Sequence, residues 1–172
     1  YDAIISTSKS INKDNSLLNC RIKGLDDDKP NLYIIDLKLK IRKNLKIFKS
    51  STKRKIFLIT ANKNSKKLNY LRKKKIKIIF VNKLSKKNDF IQLFKIIKNN
   101  GYNRILIETG LTFLNSLLKN KLINNLYIFK SFEKLGKLGI NNDTNKIIKK
   151  IKITNRIVVN LKDDKLYMAK IR

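Results

Sequence analysis

The chain has 172 residues, 42% of them hydrophobic and 8% aromatic, enough for one globular domain with a sizeable core. Its 42 Lys and Arg against 12 Asp and Glu give a formal charge of +30, which points first to a polyanionic partner, nucleic acid above all. Five Gly and one Pro exclude a collagenous or linker protein, no apolar run approaches the roughly 18 residues of a membrane-spanning helix, and the lack of His with a single Cys20 excludes zinc hydrolysis, Ser-His-Asp chemistry and a disulfide framework.

In chain order, short apolar runs rich in β-branched residues predict strands over Asp2–Ser6, Leu32–Asp36, Lys55–Thr60, Ile76–Val81 and Arg104–Glu108. Their near-continuous hydrophobicity is that of parallel strands covered by helices on both faces. Between them, a polar loop is expected after the first strand, Asp26-Asp27-Asp28 before Lys29-Pro30 marks an exposed loop, and a short helix falls around Lys66–Lys74. Asn88–Asn100 is the clearest helix, with Asn88 as cap, Phe90, Ile91, Phe94 and Ile97 on one stripe, and Gly101 closing it. A second runs from about Gly110 to Asn120 with Leu111, Leu114, Leu117 and Leu118 as its stripe.

After Asn125 the pattern turns to alternation over Leu126–Lys130, Ile147–Thr154, Arg156–Leu161 and Leu166–Ile171, which predicts antiparallel strands, the last two joined by a hairpin turn at Lys162–Lys165. The expected fold is α/β: a single domain over residues 1–172, with a mixed sheet flanked by helices and antiparallel strands at the C-terminal end. The sequence opens at Tyr1 without initiator Met or targeting segment, from which we expect a cytoplasmic piece of a longer protein.

Charge alone does not make a nucleic-acid reader. Only seven of the 42 cations are arginine, and Lys, Ile and Asn, all abundant here, have AT-rich codons. Codon bias loads any surface with Lys and Asn, whereas base readers lean on the bidentate Arg fork. A basic RNA-binding module using Tyr33, Tyr70, Phe80 and Tyr102 is nevertheless one reading, although no paired aromatic sheet motif is present.

Two stretches carry candidate chemistry. In Arg104-Ile-Leu-Ile-Glu108-Thr109-Gly110-Leu-Thr112-Phe, a strand ends in a carboxylate and turns through Gly into a helix. Helix-start amides can meet phosphate, Gly110 lets backbone approach a ligand, and Glu108 lies where open α/β sheets gather ligands. In Ala3–Arg21, Ser10 and Asp14 could hold polar groups of a cofactor and Arg21 could fork onto a phosphate. By spacing alone, ordinary turn and cap residues and a surface cation are the better reading.

Taken together and in order, these pieces (Asp2–Arg21, Pro30–Asp36 and Arg104–Ser131) resemble the reductase domain of bacterial bifunctional riboflavin-biosynthesis deaminase/reductases, RibD. The resemblance implies a dihydrofolate-reductase-like fold and NADPH-dependent reduction of 5-amino-6-(5-phosphoribosylamino)uracil to its ribitylamino counterpart. It assigns Ser10, Asp14 and Gly110, Leu111, Thr112, Phe113, Leu114, Asn115 and Ser116 to the cofactor, and Leu18, Arg21 and Glu108 to the substrate. No catalytic residue is identified and no metal is expected. It further implies a homodimer without specific nucleic-acid or membrane partners, and an additional strand and a deaminase domain upstream. Leu37 after Asp36 departs from the family, which often has Ser there as a cofactor contact. Related readings are a reductase for the not yet deaminated diaminopyrimidine and an inactive remnant of the fold.

Overall fold

The computed structural model describes residues 1–19, 29–50, 53–133, 148–153, 155–159 and 163–171. Cys20, Arg21, the acidic loop at 26–28 and the turn residue 162 lie outside them. The chain divides into two compact units, Tyr1–Gly110 and Leu111–Arg172.

The first unit contains β1 (Ala3–Thr7), α1 (Ser8–Asp14), β2 (Asn31–Ile35), a short 3-10 helix (Lys46–Ser50), β3 (Ile56–Thr60), α2 (Ser65–Lys73), β4 (Ile76–Phe80), α3 (Lys87–Asn99) and β5 (Ile105–Ile107). All five strands are parallel, in the order β4-β3-β2-β1-β5. The register sets Ile4 beside Leu32 and Leu106, Leu32 beside Ile56, and Ile56 beside Ile76, so these side chains share one face. Ile11 of α1 and Leu68 and Leu71 of α2 pack into the same buried cluster, with Ile41, Leu45, Ile47 and Phe48 from the connection after β2. Burial of each such side chain contributes about 1.5–3 kcal/mol, which makes this cluster the main source of the unit's stability.

The opposite face carries Ile5, Tyr33 and Phe57 in register. Tyr33 stacks on Phe57 at 4.4 Å between centroids and 2° between planes, and Tyr102 meets both rings edge-on. Asn100, which terminates α3, donates from Nδ2 to the Tyr33 hydroxyl at 3.1 Å and thereby ties α3 to this face. The distribution follows from chirality. The chain steps outward from β1 to β4 and then returns past β1 to lay down β5, so right-handed crossovers put α1 and α2 on one side and α3 on the other.

The five strands of this unit and the helices α2 and α3 fall where the sequence predicts them, within a residue or two. The stretch after β1 does not: in place of a polar loop it begins with the seven-residue helix α1. Thr7 caps that helix by accepting from the Ser10 N–H, Asn15 ends it in the left-handed region, and Ile11 anchors it in the core. One apolar residue in seven gives no visible stripe, which is why periodicity misses it. α3 starts at Lys87, with Lys86 rather than Asn88 in the N-cap position, and Asp89 in its first turn reaches back, its Oδ2 accepting from the Ser85 N–H, the Ser85 hydroxyl and the Lys86 N–H.

The second unit contains α4 (Leu111–Lys119), β6 (Asn125–Lys130), a 3-10 turn (Ile148–Lys150), β7 (Asn155–Ile157) and β8 (Lys165–Lys170). Its sheet is antiparallel in the order β6-β8-β7. Parallel and antiparallel strands are therefore both present, as expected, but divided between two sheets. The expected strand over Ile147–Thr154 is corrected: residues 148–150 form the 3-10 turn and 151–153 no strand, while 147 and 154 lie outside the described residues. Ile148 and Ile151 have i, i+3 spacing, and the Ile151 N–H donates to the Ile148 carbonyl at 3.1 Å, so the alternation of Ile151 with Ile153 is misleading there. Of the strand expected over Arg156–Leu161, strand structure ends at Ile157, Val158 beyond it is exposed, and 160 and 161 lie outside the described residues.

Candidate active site

The winding direction reverses between β1 and β5, and in open α/β sheets ligands gather in the crevice outside the carboxyl ends of two strands so related. The residues that flank it in the first unit are Thr7–Ser10 and Glu108–Gly110. The Glu108 N–H donates to the Ile5 carbonyl at 2.9 Å and extends the β1–β5 pairing by one residue. The chain then turns, and the Gly110 N–H donates to Ser10 Oγ at 3.1 Å. Ser10 Oγ lies 3.1 Å from Thr7 Oγ1, which also accepts from the Ser10 N–H at 3.3 Å.

This small network has a directional consequence. When Thr7 donates its hydroxyl proton to Ser10 Oγ, Ser10 accepts from both Thr7 and Gly110, and its own proton is left to donate to a ligand oxygen. The Glu108 side chain is exposed at the end of β5. Gly110 does not occupy the left-handed region, and a Cβ built on it meets only Ser10 Oγ, at 3.7 Å. Glycine at 110 is therefore not demanded by the backbone or by neighbouring protein atoms, and leaves room beside Ser10.

Next to this crevice, β2 runs into Asp36, which is buried. Its Oδ1 accepts from the Lys40 N–H at 2.8 Å and its Oδ2 from the Ile41 N–H at 2.7 Å, folding the following loop back on the sheet edge. The Leu37 carbonyl accepts from the Ala61 N–H and the Thr60 hydroxyl, so the residue after Asp36 serves this edge through its backbone. Asn12 of α1 donates to the Lys40 carbonyl at 3.0 Å and accepts from the Arg42 N–H at 2.9 Å, and Asn15 accepts from the Lys46 N–H at 3.0 Å. These asparagines clamp α1, and with it Ser10, to the loop after β2. They carry no signal in a sequence where Asn is among the commonest residues.

Of the predicted site residues, Ser10 and Gly110 are in contact and Glu108 lies two residues before Gly110. Asp14 is exposed at the far end of α1, about 6 Å of helical rise beyond Ser10. Leu18 is not brought to the crevice: it packs against the core cluster, and its carbonyl is bonded to Arg54, which stands before the start of β3 at the opposite edge. Arg21 lies outside the described residues. In the second unit, Leu111–Ser116 form the first turns of α4: Thr112 is exposed, the Ser116 hydroxyl donates to the Thr112 carbonyl at 3.1 Å, and Asn115 is buried, its Oδ1 without a hydrogen-bond partner among the described residues.

Of the four aromatic residues offered for RNA, Tyr33 is fully buried in its stack and Tyr102 packs against it, so these two belong to the core. Lys63, in the turn between β3 and α2, is exposed.

Against known proteins, the model of the RibD C-terminal domain family matches residues 1–139. Among solved structures, the chain is similar to RibD of Acinetobacter baumannii, with a TM-score of 0.73 and 17% identity over 98% of this chain and 46% of that one. It is also similar to a diaminohydroxyphosphoribosylaminopyrimidine deaminase/5-amino-6-(5-phosphoribosylamino)uracil reductase of Thermotoga maritima, at a TM-score of 0.66 and 16% identity over 99% and 45% of the two chains. A pyrimidine reductase-like protein of Corynebacterium diphtheriae gives a TM-score of 0.68 at 14% identity over 98% and 75%. These structural likenesses are of fold. The chain spans less than half the length of the first two proteins, and no curated protein matches it.

Proposed function

The chain belongs to the RibD C-terminal domain family, and from that membership we propose that it is an oxidoreductase of riboflavin biosynthesis that reduces a phosphoribosylaminopyrimidine with NADPH. The substrate we assign is 5-amino-6-(5-phosphoribosylamino)uracil and the product its ribitylamino counterpart. The observation that carries the reading is the Ser10–Gly110 hydrogen bond at the strand reversal, with the Glu108 carboxylate exposed beside it.

The residues suit a dinucleotide. Ser10 offers a hydroxyl proton, and Gly110 leaves space where any other residue would carry a side chain. Ser10, Gly110 and Leu111–Ser116 would hold the cofactor, with Asp14 as a more distant member of the same group. When bound, NADPH supplies a hydride.

The protein's task is then to align two bound molecules, which needs neither a catalytic His nor a metal. Leu18, Arg21 and Glu108 are assigned to the substrate. The Glu108 carboxylate can accept hydrogen bonds from ribosyl hydroxyls and stabilise positive charge on the ring-opened imine, whose C1′ takes the hydride while its nitrogen takes a proton.

The test is turnover by the full-length protein: loss of NADPH absorbance, with a product two hydrogens heavier than the substrate by mass spectrometry. A chain that consumes no NADPH in the presence of the phosphoribosylaminopyrimidine refutes the reading. Preference for NADPH over NADH belongs to the same proposal, with cations such as Lys63 available to a 2′-phosphate, and equal affinities by titration calorimetry refute that part. The protein is expected to be a homodimer, checked by light scattering.

A further inference from the structure

The antiparallel sheet of the second unit carries apolar residues on both faces. By alternation and register, Leu126 and Ala169 share one face, and both are buried. The other face carries two rows across the strands, Tyr127, Met168 and Asn155 in one and Phe129, Leu166 and Ile157 in the next. This face is open: Tyr127 is 40% exposed, Phe129 66%, and Phe132 just beyond β6 76%.

Its composition departs from that of the chain. Cations are 42 of the 172 residues, and a bias toward Lys places them wherever an exposed position tolerates one, yet none of these six residues is charged. Lys130, Lys165 and Arg156 of the same strands alternate onto the side of Leu126 and Ala169. Contiguous apolar surface of this kind marks an interaction site. Charge stands only at its two ends. Lys170 pairs with Asn125 at one end, and at the other lies Asp164, two residues before Leu166, whose Oδ1 accepts from the Phe132 N–H at 3.0 Å.

These features select the partner. A platform for single-stranded nucleic acid combines aromatic rings with cations that take the phosphates, and the two rows hold no cation. A second copy of the chain fits instead. A two-fold axis lying between two such sheets and crossing their strands sets Lys170 of each copy against Asp164 of the other, and the Phe129 row over the Tyr127 row. The area is also of the right size. At roughly 200 Å² for a whole aromatic side chain, Tyr127, Phe129 and Phe132 leave about 350 Å² open. The partly exposed Leu166, Met168 and Ile157 extend this toward the roughly 450–500 Å² of apolar surface in a standard interface of about 800 Å² per partner.

We propose that this face is the interface between two copies of the chain, packed sheet on sheet with their strands running in opposite directions. The proposal names the surface of the homodimer expected above and does not depend on the reductase reading, which NADPH turnover tests separately. It also sets the sign of a salt effect. Each copy carries +30, so added salt screens the repulsion between copies and tightens the dimer, whereas it weakens attachment to a polyanion.

Sedimentation velocity of the full-length protein over a concentration series tests it. The unmodified protein is expected to dimerise, more tightly in 0.5 M than in 0.05 M salt by about threefold or more. Phe129→Lys should raise the dimer Kd at least tenfold while leaving the circular dichroism spectrum unchanged. Lys170→Asp should raise it at least threefold, and adding Asp164→Lys to that variant should bring it back within twofold of the parent, because the pair is then restored with its charges exchanged. A protein that stays monomeric at every concentration, or a dimer indifferent to Phe129→Lys, overturns the proposal. So does a Phe129→Lys protein that dimerises normally but loses affinity for a single-stranded oligonucleotide, which makes the face a nucleic-acid platform. Should Phe129→Lys fail to fold, Lys170→Asp at the exposed margin and its charge-exchanged double variant decide: no loss, or loss without recovery, refutes the arrangement.

Discussion

Glu108 and Asp2 are both carboxylates beside β5, yet their surroundings give them opposite tasks. Glu108 follows the last paired residue of β5 and its side chain faces solvent, so its charge is available to a ligand. Glu108→Gln keeps the shape and removes the charge; interactions of this class are worth about 1.5–3 kcal/mol. We expect kcat/KM to fall about tenfold or more with NADPH affinity nearly unchanged, read by steady-state kinetics and calorimetry. Weaker NADPH binding with normal turnover at saturating cofactor would move Glu108 to the cofactor side.

Asp2, at the other end of the strand pair, accepts from the Arg104 and Asn103 N–H groups at 2.8 Å each, and these bonds hold its carboxyl below the ordinary 3.8. A depressed folded pKa means that its stabilising contribution is complete above 3.8 and disappears as pH falls through the folded value. Asp2→Asn is therefore expected to lower stability at neutral pH and to converge on the parent protein in strong acid. Parallel urea melts at the two pH values check this, and a constant difference would contradict it.

The connection after β2 is where one side chain organises an element. Asp36 gives one oxygen to each of two successive backbone amides and is buried while doing so. Asp36→Asn retains one acceptor and turns an NH₂ toward the other amide, a loss of about 1–3 kcal/mol. The midpoint of urea unfolding should fall accordingly with an unchanged slope, and an unaltered midpoint would show that the loop finds another way to pair. The same loop receives Asn12 and Asn15 from α1, so the variant should also disturb Ser10 and weaken the cofactor more than the substrate.

The elements differ in how plainly the sequence announces them, for physical reasons. β1, β2 and β3 are buried on both faces, so Ala3-Ile-Ile, Leu32–Ile35 and Ile56–Ile59 must be apolar without interruption, and the run itself is the signal. α1 draws its stability from the Thr7 cap and from Asn12 and Asn15 reaching across to residues 40–46, interactions between polar residues that leave no periodic trace. The candidate site divides in the same way. The strand-Glu108-turn-Gly110-helix order is local and readable, whereas the bond from Gly110 to Ser10 joins residues 100 apart and only the sheet order brings them together.

At the scale of the whole molecule, the formal charge of +30 predicts weak, nonspecific attachment to any polyanion. Binding to RNA or DNA should decline steeply with salt, because counterion release would drive it without base readout. Filter binding across a salt series reads this, and tight sequence-selective binding at physiological salt would revive the RNA-module reading. No helix among the described residues is long and apolar enough to cross a membrane.

The aromatic stack gives the chain an optical property of its own. There is no Trp, so near-ultraviolet absorbance comes chiefly from six tyrosines, and Tyr33, buried by Phe57 and the sheet, has its hydroxyl pushed up to about 12. Its ordinary value is 10.0, so folding favours the protonated phenol, and this contribution is complete below 10.0 and lost as pH rises toward 12. Tyr33 should therefore titrate late while the sheet is intact and at the ordinary value once it opens, which makes phenolate absorbance in an alkaline titration a label-free gauge of whether the centre of the parallel sheet has come apart.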